Sequence, residues 1–154
     1  MSVHSSDSSL ELLVAWPVEA LEAIATQAGH RTAVVLMVQG VDGFERDLLS
    51  SGLARSLARS GVVLFALVGK DSERAHDALD WVIEEAGAEH VLTSWHDEND
   101  PDDTASFVVA ASRVNCIERI VVAVDERTES GARLRKSIAD TIRLQADDGE
   151  AGTE

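Results

Sequence analysis

Apolar segments that alternate with amphipathic ones predict an α/β fold. Residues 33–38, 62–68 and 120–124 are wholly apolar and rich in β-branched side chains, the pattern of strands buried on both faces, and residues 90–94 form a shorter strand. Segments of helical period separate these strands, as in right-handed β-α-β units. The 154 residues suit one domain. The sequence therefore predicts a three-layer sandwich with a mainly parallel sheet of four to five strands, of flavodoxin or Rossmann type.

The N-terminal part of the chain has the least clear pattern. Residues 1–9 are polar and serine-rich, and we expect them to be disordered. Residues 10–16 fit either a short strand or the start of a helix, which Pro17 would interrupt. After Pro17 apolar residues recur at helical spacing, and Gly29 can end that helix.

Helices are predicted between the strands by apolar residues three and four positions apart. The first of them covers residues 44–61 and contains Gly52 in its interior. The next helix can be capped by Asp71 or Ser72 and is expected to stop at Gly87. Both helices place charged side chains on the face opposite their apolar stripe, so each should cover the sheet.

The helix after the third predicted strand has the strongest start signal in the chain. Asp100 can cap it, Pro101 suits its first position, and two further acids follow in its first turn. The last helix begins near Ser130, and the sequence beyond it is acidic without an apolar anchor. We therefore expect one α/β domain over residues 10–145 and a flexible acidic tail over 146–154.

Net charge is the most extreme global property of the chain. There are 13 basic and 28 acidic residues, a formal balance of -15. The balance is -4 over residues 1–30, -9 over 31–125 and -2 over 126–154, which indicates acidity spread through the fold. Such a surface repels phosphate backbones, so nucleic acid is not an expected partner, whereas a basic protein would be attracted. The alternative is that the charge only keeps the protein soluble.

Location is predicted from what the sequence lacks. No run of about 18 apolar residues could form a membrane span, and the N-terminus has neither the basic region nor the apolar core of a secretory signal. Cys116 is the only cysteine and cannot form an internal disulfide. Its apolar neighbours predict a packed or half-buried thiol. These features favour the cytoplasm.

Chemically versatile side chains follow the predicted strands. Because the carboxyl ends of parallel strands meet at one edge of a sheet, we expect these side chains to share a rim. They are Asp42, Lys70, Asp71, Trp95, His96, Asp97, Glu98 and Asp125.

The segment after the third predicted strand holds the candidate catalytic residues His96, Asp97 and Glu98. An imidazole and carboxylates there could relay a proton, and His96 and Asp97 could hold a divalent cation with help from Asp125 or Asp42. The alternative is that the acids complement the dipole of the following helix while Trp95 covers the sheet edge.

His76 is a further catalytic candidate. It precedes Asp77 and shares one helix face with Asp80 and Glu84, which fits a solvated histidine–carboxylate pair. The sharper alternative is that His76 or Asp77 points at the rim and meets His96, which would create an acid–base or metal site.

Standard catalytic motifs are missing. Lys70 follows Gly69, but the first glycine of a phosphate loop is absent, and no dinucleotide-binding glycine pattern follows a strand. Ser94 lacks the flanking glycines of a nucleophile elbow. No cofactor is predicted. If the protein is an enzyme, we expect it to require Mg²⁺, because its negative charge would otherwise repel an anionic substrate.

Two segments, ERAHDALD at residues 73–80 and TSWHDEND at 93–100, resemble a family of small bacterial α/β proteins of unknown function. In that family a strand ending in a T-T-W-H-D/E-E pattern follows a helix opened by Gly-x-Asp. Gly69 and Asp71 match that helix opening.

The resemblance covers roughly residues 31–125. Ser94 stands where the family has a second threonine, and the aromatic run expected after the motif is reduced to Phe107. The family brings no activity, so the resemblance supports the fold and draws attention to residues 93–98.

The sequence as a whole favours an acidic, cytoplasmic protein-interaction domain, accessory or immunity-like, that binds a more basic protein. The first alternative is a metal-dependent hydrolase or phosphotransfer-type enzyme that uses the His/Asp/Glu cluster. A further alternative is a sensor of a small ligand or nucleotide at the strand ends.

Overall fold

The apolar segments form an open sheet of five parallel strands, as predicted. A computed structural model describes residues 10–17, 20–25, 30–38, 48–49 and 52–152. The strands are β1 (Glu11–Val14), β2 (Thr32–Met37), β3 (Val62–Val68), β4 (Leu92–His96) and β5 (Arg119–Ala123). The helices are α1 (Ala20–Ala25), α2 (Leu53–Ala58), α3 (Ser72–Glu85), α4 (Pro101–Val114) and α5 (Glu129–Gly152).

The strand order is β1-β5-β2-β3-β4, and every neighbouring pair is parallel. The chain moves outward from β2 through β3 to β4, and then returns to the other side of β2 to form β5. This reversal places β1 and β4 at opposite edges of the sheet. The segment that fitted either a strand or a helix start is resolved as the edge strand β1.

Helices cover both faces of the sheet, which confirms the three layers. On β2, Val34 and Leu36 pack in the layer that includes α1, α2 and α3. Ala33 and Val35 point to the opposite face and join the buried residues of α4 and α5. This alternation on one fully buried strand explains why the predicted strands are apolar at every position.

Strand β4 lies two residues further along the chain than predicted, which changes the candidate site. Trp95 and His96, expected in a loop, belong to the strand and pair with Leu67 and Val68 of β3. A histidine and a half-exposed tryptophan can occupy this strand because an edge strand is covered less completely than a central one. The ladder continues past the last apolar residue, since the Gly69 N–H donates to the His96 carbonyl oxygen (3.0 Å).

The helix predicted over residues 44–61 is not regular at Gly52: Leu48 and Leu49 lie in a π-helical turn before this residue, and α2 follows it. Gly52 precedes α2 with φ 81°, in the left-handed region, so a regular helix cannot run through it. Residues 44–47 lie outside the described residues.

The two ends of the chain bear on the predicted domain limits. Helix α5 begins at Glu129, close to the predicted start, but it extends to Gly152 rather than ending before residue 146. The predicted flexibility of 146–154 stays a prediction. Residues 1–9, expected to be disordered, lie outside the described part of the chain. None of the described helices is long and apolar enough to cross a membrane.

Cys116 is exposed, which corrects the expectation of a packed or half-buried thiol. It adopts φ 57° at the end of α4, where the Ile117 N–H returns to the Ser112 carbonyl oxygen (2.8 Å). This is the six-to-one hydrogen bond of a Schellman motif. The motif buries Ile117, leaving Cys116 on the outside of the turn.

Replacing Gly69 with alanine is expected to destabilise the fold more than replacing Gly87. Both glycines have positive φ, 138° and 73°, so alanine strains either backbone by about 1–3 kcal/mol. Only at Gly69 would the added methyl overlap a backbone atom, the Val38 carbonyl oxygen, which adds roughly 1–3 kcal/mol. Urea unfolding of both variants measures the difference. Equal losses would contradict the tight packing inferred at Gly69.

Candidate functional site

A cleft of about 510 Å³ opens at the carboxyl ends of β3 and β4. Its lining contains five of the residues predicted for the rim, namely Lys70, Trp95, His96, Asp97 and Glu98. Gly69, Ser72, Glu73 and Asn99 complete it. Most of these lining residues are polar or charged, so the cleft suits a charged or hydrogen-bonding ligand better than an apolar one.

The wall of the cleft is built around the backbone carbonyl of His96. That oxygen accepts the Gly69 N–H (3.0 Å) and the Ser72 hydroxyl (3.2 Å). Asp71 occupies the N-cap position of α3 without a side-chain cap bond, and the Ser72 hydroxyl is directed to β4. The prediction that Asp71 or Ser72 caps α3 is therefore not met by a side-chain cap, because that hydroxyl joins the helix start to the edge strand.

Alternation along β4 sends its side chains to opposite faces of the sheet. Thr93 contacts His76 of α3, whereas His96 contacts Phe107 of α4. His76 and His96 therefore lie on opposite sides of the sheet and do not form the joint site that was the sharper alternative. A shift of β4 by one residue would have exchanged the two faces.

On the α3 side, Thr93 joins a hydrogen-bonded cluster. Its hydroxyl donates to Asp80 Oδ1 (2.6 Å) and lies 2.8 Å from His76 Nε2. The single hydroxyl proton is used by Asp80, so Nε2 must carry the proton that it donates to Thr93. The Trp95 ring covers His76 at 4.6 Å between centroids. Both polar partners of Thr93 are satisfied, which suits a cluster that fixes α3 against the edge strand.

On the α4 side, Ser94 and His96 form a second hydroxyl–imidazole pair. Ser94 Oγ lies 2.8 Å from His96 Nε2, and the imidazole packs against Phe107 at 5.0 Å between centroids. Burial lowers the pKa of His96 below its ordinary value of 6.5, and the Asp103 carboxylate partly opposes this shift. The sequence could not reveal this pair, because Ser94 and His96 share a face only if both lie within the strand.

The predicted metal set of His96, Asp97 and Asp125 is not assembled. Asp125 follows β5, which is separated from β4 by β2 and β3, a distance of roughly 14 Å for three strand spacings. Asp42, also predicted for the rim, lies outside the described residues. Across the part of the chain that the structure describes, no group of three or more His, Cys, Asp or Glu side chains could hold a metal ion.

Asp125 instead pairs with Arg127 within its own loop. Arg127 Nε donates to Asp125 Oδ1 and Arg127 Nη2 donates to Asp125 Oδ2, each over 3.0 Å. These hydrogen bonds lower the pKa of the Asp125 carboxyl below its usual value. Asp125 therefore caps the turn before α5, and its charge is already compensated.

Negative charge is concentrated around β4, which refines the expectation of evenly spread acidity. Between residues 71 and 103 twelve side chains are acidic and one, Arg74, is basic. In the fold this stretch forms α3, β4 and the first turn of α4, and we call its solvent-facing surface the acidic edge. The net charge of the whole segment 31–125 does not reveal this concentration of acids, because seven of the eight basic residues of that segment lie outside residues 71–103.

Apolar side chains are exposed within the acidic edge. The relative exposures of Leu92 and Trp95 on β4 are 45% and 47%, and that of Phe107 on the adjoining helix is 42%. Among the described residues no strand pairs with the outer side of β4. The fold and the site thus define an open parallel α/β domain with an acidic surface around a partly apolar edge strand.

The chain belongs to the DUF7684 family, a domain of unknown function, whose model matches residues 11–141. No curated protein and no solved structure matches the chain. The expectation of a family without a known activity is confirmed at this level.

The His96 imidazole is expected to titrate below pH 6.5 in the folded protein, because burial disfavours its charged form. Since the folded pKa lies below the unfolded value, His96 stabilises the fold above pH 6.5 and loses that contribution as the pH falls. The Asp103→Asn change should lower the pKa further, because it removes the opposing carboxylate. Histidine ring shifts followed by NMR measure both. A higher pKa in Asp103→Asn would contradict the assigned causes.

Proposed function

We propose that this protein works by binding a more basic protein through the acidic edge, in an accessory or immunity-like role in the cytoplasm. The observation that carries the proposal is the ratio of twelve acids to one base between residues 71 and 103, the stretch that contains the edge strand β4 and its half-exposed tryptophan. The T-S-W-H-D-E segment lies at the centre of this surface. We also propose that this segment is the motif shared by a bacterial family.

Most acids of the edge pair with no lysine or arginine of the described residues; Glu85, which pairs with Arg55, is an exception. On α5, Glu129 pairs with Arg133, and Asp140 pairs with Lys136 and Arg143. By contrast, Asp97 and Glu98 pair with no lysine or arginine of the described residues. Their mutual repulsion is present in the free protein, so a basic partner gains attraction and also relieves that repulsion.

Trp95 supplies a suitable anchor beside these charges. One part of its ring rests on His76, and nearly half of the residue is accessible. Tryptophan is enriched among the residues that dominate binding energies, because it buries a large rigid surface at little entropic cost. A charged rim around an exposed aromatic side chain is the usual composition of a protein-binding surface.

A hydrolase is the second candidate function, favoured by the Ser94–His96 hydrogen bond. Lowering of the His96 pKa keeps the imidazole neutral near pH 7, as a general base requires. No carboxylate of the described residues hydrogen-bonds His96 to orient it, unlike in a serine–histidine–aspartate triad. Such an enzyme would need a cation such as Mg²⁺ for an anionic substrate, because acidic side chains line the cleft.

The acidic edge is expected to bind an oligo-arginine peptide, and Asp97→Asn/Glu98→Gln should weaken that binding about fivefold, as for two exposed ion pairs. The matched control, Glu11→Gln/Glu22→Gln, removes the same charge from β1 and α1 and should change affinity less than about twofold. Calorimetric titration at low and physiological salt measures both. Equal weakening by the two variants would show attraction by net charge alone.

A fluorophosphonate probe separates the two candidate functions. The binding proposal expects no labelling of Ser94, since its hydroxyl partner His96 lacks an orienting carboxylate. Mass spectrometry of the treated wild type and of Ser94→Ala detects the adduct. Labelling that Ser94→Ala and His96→Ala both abolish would place the hydrolase first.

A further inference from the structure

We propose that the partner of the acidic edge is an extended segment of alternating basic and apolar residues, which adds to the sheet as a further strand along β4. This inference rests on the proposed function and specifies its binding mode. Three features carry it: the outward backbone groups of β4, the different chemistry of its two faces, and the charge around it.

The backbone of β4 has hydrogen-bonding groups directed away from the sheet. The His96 carbonyl accepts the Gly69 N–H, so the His96 backbone groups point toward β3. Backbone groups alternate sides along a strand, which directs the N–H and C=O groups of Thr93 and Trp95 to the outer side. No described strand occupies that side. An extended chain can therefore pair there, as in β-augmentation.

The face of β4 toward α3 fits basic side chains. The Trp95 ring lies on this face beside Asp77 and Asp80, whose carboxylates flank His76 at 3.4 Å. An arginine from a neighbouring strand could stack on the indole and hydrogen-bond a carboxylate. No lysine or arginine of the described residues already pairs with Asp77 or Asp80.

The face toward α4 fits apolar side chains. Leu92 points to this side of the strand. The half-exposed Phe107 of α4 packs beside His96 on the same side. Because strand side chains alternate, a partner that directs arginines to Trp95 directs its intervening residues to Leu92 and Phe107. The two faces together thus select alternation of basic and apolar residues.

Charge decides between a basic segment and a second copy of this chain. Edge-to-edge pairing of two copies would bring the acidic edge of one copy against that of the other, and like charges repel. The opposite edge strand, β1, has the single acid Glu11 and only four residues. A basic segment should therefore choose β4 over β1, and self-pairing through β4 should be disfavoured.

The probe is a short peptide of alternating arginine and valine, made unmodified, N-methylated on its arginines, or N-methylated on its valines. In either strand direction, only one set of N–H groups faces β4. We expect one methylated peptide to bind at least about tenfold more weakly than the unmodified peptide, and the other to stay within about twofold. Equal affinity of both methylated peptides would overturn strand addition.

Amide exchange of the protein supplies a second readout. On binding, the outward Thr93 and Trp95 amides should exchange more slowly, whereas those of Ser94 and His96, which face β3, should change little. Trp95→Pro should bind about tenfold more weakly than Trp95→Val, since both lose the ring but only proline loses the outward N–H. Unchanged exchange at Thr93 and Trp95 would overturn the proposal even if Trp95→Pro fails to fold.

The outcomes also separate this inference from the proposed function. If Asp97→Asn/Glu98→Gln weakens the peptide but both methylated forms bind alike, the acidic edge binds without adding a strand, and only this inference fails. If none of the peptides binds at low salt, both proposals fail. Dimers through β4, detected by sedimentation and abolished by Trp95→Pro but not by Trp95→Val, would identify a second copy as the occupant and overturn the basic segment.

Discussion

The pairing of β4 with β3 through the His96 carbonyl is the constraint on which the rest of the site depends. This oxygen accepts both the Gly69 N–H and the Ser72 hydroxyl, and so ties the edge strand to the start of α3. The turn comes so close to β2 that a side chain at Gly69 would overlap the Val38 carbonyl. Without this anchor, Trp95 and His96 would have the freedom of a loop, and the two faces of β4 would not be defined.

The layers of the fold could be predicted because burial on both faces leaves a direct record in the sequence. Runs such as residues 62–68 are apolar at every position and bounded by glycine, which few structures other than a central parallel strand require. The strand order leaves no such record, because it depends on contacts between distant segments. Asp125 and His96 were therefore expected at one site, although two strands separate them.

Part of the candidate site could be predicted because β3 and β4 are consecutive in the chain and also neighbours in the sheet. Residues at the carboxyl ends of β3 and β4, such as Lys70 and His96, line one cleft because consecutive strands of this sheet are neighbours. The boundary of β4 was placed too early, since periodicity cannot detect a strand that continues through polar residues at an open edge. That error concealed the Ser94–His96 pair and the separation of His76 from His96.

Under the proposed function, the distribution of charge allows an open edge strand to bind a partner and still disfavours pairing with a second copy. An exposed strand with outward N–H and C=O groups is a template for any extended chain, and natural proteins protect such strands with charge. Here β4 itself carries no carboxylate, and the acids stand on both sides of it, on α3 and before α4. Acids in the strand would obstruct every partner, whereas acids beside it repel another copy and attract a basic chain. Under the proposed function, the same side chains would provide both protection and selection. Most of them pair with no lysine or arginine of the described residues, whereas Glu129 and Asp140 of α5 are paired.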